Sequence, residues 1–143
     1  MDFQCTKDKL DNTGCGMCLA KWTQTTIYLH NGHTHSCHHP RTHKIPLTEL
    51  NKNPTALHNT KYKKLQRKTM LKGGRPEECD YCWNVEDNSE EFSDRIYKSH
   101  SEWSAPHHEE IVKSKWNIDY NPRYVEVAFS SACNLKCSYC APR

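Results

Sequence analysis

The sequence predicts an α+β chain: a small β-hairpin and one helix that carry cysteines, then a lone strand running into a cysteine-rich loop. Three observations carry this. Residues 22–30 are rich in β-branched and aromatic side chains and run into Asn31-Gly32, the strongest short hairpin signal. Residues 60–72 place Tyr62, Leu65, Thr69 and Met70 on one helical face and stop at Gly73-Gly74. Residues 124–130, Tyr-Val-Glu-Val-Ala-Phe-Ser, alternate as a strand does, just before Cys133.

From the start of the chain, residues 1–17 are polar and are expected to be a loose segment bearing Cys5 and Cys15. No apolar run follows Met1-Asp2-Phe3-Gln4, so no signal peptide is expected, and no stretch approaches membrane-spanning length. Residues 22–30 and 33–38 form the two arms of the hairpin. Along the second arm and just beyond it lie His33, His35, His38, His39 and His43, expected to make one solvated face. Residues 39–58, with Pro40, Pro46 and Pro54, read as loop. Asn59 or Thr60 caps the helix that follows. Its basic residues, Lys61, Lys63, Lys64, Arg67, Lys68 and Lys72, are expected on a solvated side. Residues 96–121, with weak periodicity, read as a linker. On the strand, Glu126 shares a face with Tyr124 and Ala128.

Only 35% of residues are hydrophobic, a thin supply for a core, which metal ligation would offset. The net charge of +3 is mild and gives no strong case for nucleic acid. The chain has nine cysteines, an odd number that fits a disulfide framework poorly. With no leader to send the chain to an oxidising compartment, they read as metal ligands in a cytoplasmic protein.

The cysteines fall into two groups. Cys133, Cys137 and Cys140 form C-x3-C-x2-C, with Tyr139 just before the third. Three thiolates on one loop can hold three irons of a [4Fe–4S] cube and leave the fourth open. Earlier, Cys18 is followed by Gly32 and Cys37 in the pattern C-x13-G-x4-C, and then by the C-x2-C pair Cys79 and Cys82. A hairpin returns Cys37 toward Cys18, and the short loop between Cys79 and Cys82 costs little entropy to close. Four thiolates of this kind suit zinc or an iron–sulfur cluster. Cys15-Gly16-Met17-Cys18 is itself a C-x2-C, which leaves a ligand exchange between Cys15 and Cys18 open.

The C-terminal octapeptide resembles the signature of the radical S-adenosylmethionine (radical SAM) superfamily. The earlier pattern, with the Cys18–Trp22 C-x3-W opening, is similar to the SPASM or twitch auxiliary-cluster module that accompanies those enzymes. The resemblance covers roughly residues 15–95 and 122–143. It implies that Cys133, Cys137 and Cys140 hold a catalytic [4Fe–4S] cluster whose open iron binds S-adenosylmethionine, with Tyr139 beside the adenine. It implies that Cys18, Cys37, Cys79 and Cys82 hold an auxiliary [4Fe–4S] cluster; the spacing to Gly32 falls in the family's range from Cys18 and not from Cys15. Reductive cleavage to a 5′-deoxyadenosyl radical, hydrogen abstraction from a peptide or small molecule, and a flavodoxin or ferredoxin as reductant are implied in the same way. The division becomes 1–95 twitch/SPASM-like module, 96–121 linker, and 122–143 the first strand and cluster loop of a truncated (β/α) TIM-type barrel. Because a barrel needs further βα units after its cluster loop, the chain reads as an N-terminal part that does not catalyse alone. The rival expectation is a non-enzymatic zinc module whose basic helix binds a partner.

Overall fold

The computed structural model describes residues 2–130 and 132. Among them are seven α-helices and a four-stranded mixed sheet.

Helix α1 (Phe3–Thr13) replaces the expected loose segment. Asp2 caps it by accepting from the Cys5 backbone N–H at 2.7 Å. Thr6 and Leu10, one turn apart, are its buried positions. Beyond it, Gly16 lies against Gly74: a Cβ there would sit 1.9 Å from the Gly74 carbonyl oxygen, so only glycine permits this approach. A short helix α2 (Ala20–Thr23) buries Trp22 completely and leads into β1 (Gln24–Tyr28).

The hairpin forms as its turn signal requires. Strand β2 (His33–His35) pairs antiparallel with β1, and Gly32 takes a φ of 70° in the turn. Strand β3 (His43–Lys44) pairs with β2 on the far side. Strand β4 (Tyr124–Ala128) pairs with β1 in parallel, Gln24 opposite Tyr124 and Tyr28 opposite Ala128. The sheet order is β3-β2-β1-β4, and the described strands do not close into a barrel. The strand expected to open a barrel thus shares a sheet with the hairpin. On it, Glu126 accepts from Thr26 Oγ1 at 2.8 Å and from the Tyr124 hydroxyl at 2.9 Å.

After a short α3 (Leu47–Leu50), helix α4 (Lys61–Leu71) starts at Thr60, whose hydroxyl accepts from the Lys63 N–H, and stops before Gly73 at φ 80°. Its extent agrees with the sequence, but its buried face does not. Tyr62 and Leu65 are exposed, while Lys63, Arg67 and Met70 face inward. Lys63 is accommodated because its ammonium donates to Thr25 Oγ1 (2.9 Å), Thr34 Oγ1 (2.8 Å) and the His35 carbonyl (3.3 Å). Arg67 donates to the Lys21 carbonyl (3.0 Å) and Asn59 Oδ1 (2.7 Å). Buried cations need such partners.

Helices α5 (Asp80–Asn88), α6 (Asp94–His100) and α7 (His108–Lys113) complete the set. Residues 96–121, expected as a linker, contribute Ile96, Ile111 and Tyr120 to the core formed with Leu10, Met17, Leu19, Trp22 and Met70. No helix among the described residues is long and apolar enough to cross a membrane.

Candidate metal centre

Four cysteines from three separate stretches of sequence line one cavity: Cys18, Cys37, and the pair Cys79 and Cys82. Cys18 precedes α2, held by the tight passage at Gly16. Cys37 follows β2, brought back by the hairpin. Cys79 ends the 3-10 turn Glu77–Cys79, and Cys82 lies one turn further on in α5, so the pair shares a side. All four are buried, and none is in a disulfide.

Burial pushes the thiols of Cys37, Cys79 and Cys82 up to about 12. Each also feels Cys18 as a like charge, so the four sulfurs are mutual neighbours. Backbone N–H groups of His39 and Arg95 hydrogen-bond the Cys37 and Cys82 sulfurs and favour the thiolate. Such N–H···S bonds also stabilise metal-bound thiolates.

Two cations flank the cavity. Lys21, almost fully buried, pairs with Glu78. Burial works against its charge, but Cys79 and Glu78 hold its pKa above the usual value. Arg95 is likewise buried; it donates to Glu86 Oε2 (2.7 Å), Asp11 Oδ1 (2.9 Å) and the Met17 carbonyl (3.0 Å). Neither cation was singled out by the sequence, since isolated basic residues read as solvated.

The donor chemistry fits a metal group: buried, unoxidised thiols with N–H donors and nearby positive charge.

Cys15 lies elsewhere: it is exposed and its thiol donates to the Gly73 carbonyl at 3.0 Å. Cys5 is exposed too. His38 is exposed as expected, but two of the histidines depart from the expected solvated face. His35 is buried, 3.0 Å from the Pro40 carbonyl. His43 lies 3.0 Å from Thr60 Oγ1, and burial beside Lys63 lowers it to about 4. The loop bearing Cys133, Cys137 and Cys140, with Tyr139, lies outside the described residues.

Comparison of the chain with protein-family models, with curated proteins and with solved structures finds no match.

Proposed function

We propose that the chain belongs to a radical SAM enzyme that carries an auxiliary [4Fe–4S] cluster. The observation that carries this reading is the convergence of Cys18, Cys37, Cys79 and Cys82 on one cavity. In this reading Cys133, Cys137 and Cys140 hold the catalytic [4Fe–4S] cluster, and Tyr139 packs beside the adenine of S-adenosylmethionine. That pair of cofactors supplies a 5′-deoxyadenosyl radical for hydrogen abstraction.

The chain's own residues bind, orient and shield. The four buried cysteines anchor the auxiliary cluster, and N–H groups of His39 and Arg95 bond two of its sulfurs. Lys21 lowers the cost of negative charge beside Cys37 and Cys79. Such contacts raise a cluster's reduction potential. Strand β4 leads into the C-terminal cysteines and would open a (β/α) barrel. The substrate is a peptide or small molecule, the reductant a flavodoxin or ferredoxin, and the setting cytoplasmic.

One observation weighs against a zinc module with a basic partner-binding helix: the helix buries Lys63 and Arg67, leaving less of its charge for a partner.

Anaerobic reconstitution with iron and sulfide tests the reading. The expected result is about eight irons and eight sulfides per chain, with a brown absorption near about 400 nm. Cys79→Ala and Cys137→Ala should each remove about half. Zinc uptake without sulfide overturns the proposal.

A further inference from the structure

Beyond the thiols, a second donor set gathers at the mouth of the same cavity. His38 and His39 follow Cys37 on the loop after β2, and Asp94 is the first residue of α6. His39 Nε2 donates to Asp94 Oδ2 at 2.7 Å, and His38 Nε2 lies 3.7 Å from the same oxygen. One donor atom from each residue falls within a group no more than 4.8 Å across.

We propose that His38, His39 and Asp94 form a site for a divalent first-row cation of the zinc class. Bonds of about 2.0–2.1 Å in a tetrahedron put ligand atoms about 3.3 Å apart. The two measured separations bracket that value, so small side-chain rotations close the site. Two imidazoles and one carboxylate suit zinc, iron, nickel or copper rather than magnesium or calcium.

The ring of His39 is oriented from behind: it stacks on Tyr81 at 3.8 Å between centroids and 8° between planes. This stack turns Nε2 toward Asp94. Among the described residues, His39 is the one hydrogen-bond partner of the Asp94 carboxylate. His38 is half exposed, which leaves the outer side open to water or a ligand. Three protein ligands with an open position are the pattern of a reactive site rather than a sealed structural one.

The two centres differ in donor type: nitrogen and oxygen at the mouth, sulfur within. His39 and Asp94 also line the thiol cavity. A cation there would tie the loop bearing Cys37 to the helix whose Arg95 N–H bonds Cys82, and so close the cavity from outside. The proposal does not depend on what the thiols hold.

Cobalt(II) tests it, because sulfur-bound cobalt shows intense ligand-to-metal charge transfer in the near ultraviolet and nitrogen- or oxygen-bound cobalt does not. Titration of the full chain under anaerobic, reducing conditions should reveal one cobalt per chain that adds visible bands without charge transfer. His39→Ala and Asp94→Asn should weaken that cobalt by about tenfold or more and leave any charge-transfer band unchanged. Asp94→Asn is nearly isosteric, and circular dichroism confirms that it folds. The proposal is overturned if all bound cobalt is sulfur-ligated, or if neither variant changes the affinity. Loss of charge transfer alone would report on the thiols and leave the histidine site standing.

Discussion

Two pairs of buried cations divide the molecule. Lys21 and Arg95 stand beside the thiol cavity, and Lys63 and Arg67 stand under the sheet on α4; each is at most 2% exposed. Carboxylates meet the first pair: Glu78 at Lys21, Glu86 and Asp11 at Arg95. No carboxylate hydrogen-bonds the second pair: hydroxyls, carbonyls and the Asn59 amide meet it, with the His58 imidazole 2.9 Å from Arg67. At equal burial the shifts run in opposite directions. Lys21 and Arg95 are raised, whereas desolvation takes Lys63 well down and Arg67 to about 10. A fixed charge is therefore maintained where thiolates would need one, and α4 carries charge that the fold tolerates rather than uses.

Removing one partner of a carboxylate pair should do the most damage. Arg95→Met leaves Glu86, whose side chain is 5% exposed, buried and unpaired. Breaking such a pair costs about 3–5 kcal/mol, read as a fall in the urea midpoint. Glu86→Gln in the same background should restore part of it. No restoration would mean that Arg95 acts by packing on Trp83 instead.

The α4 pair should answer differently. Lys63→Met removes a charge without stranding a carboxylate, so it should be neutral or stabilising by about 1 kcal/mol at pH 7. The sign with pH follows from linkage. A lysine lowered in the fold binds fewer protons there than in the unfolded chain, so wild-type stability rises as pH climbs toward 10.5. The advantage of Lys63→Met should shrink over that range. A pH-independent difference between the two proteins would show that Lys63 keeps its usual pKa.

The smallest effect is expected at the surface. Lys64 pairs with Asp119, whose side chain is 35% exposed. Lys64→Ala should cost less than about 1 kcal/mol, and less still at high salt. A loss comparable with Arg95→Met would erase the distinction between buried and exposed pairs.

Much of the candidate centre was legible because spacing and turn chemistry are local. Asn31-Gly32 made the hairpin that returns Cys37, and C-x2-C joined Cys79 to Cys82. The extent of α4 followed from Thr60 and Gly73. What escaped depends on tertiary context. Lys63 and Arg67 looked like solvated charge, because their burial rests on Thr25, Thr34 and Asn59 from other elements. Helix α1 has only Thr6 and Leu10 to bury, too few positions to set a period. Residues 96–121 hide Ile96 and Ile111 among histidines and charges. Lys21, Arg95 and Asp94 carried no pattern at all.

The parallel pairing of β1 with β4 bears on how the chain is made. Thr26 bonds Glu126 across 100 residues of sequence. As the protein leaves the ribosome, the hairpin can close early, but the other edge of β1 stays bare until β4 has emerged. Long-range parallel pairing is slow, and unpaired edges invite association with other chains. The middle of the chain, with α4, α5 and the cysteine pair, emerges within that interval. Metal delivered to the thiols late in this window would hold Cys18 and Cys37 in place while β4 is still being synthesised.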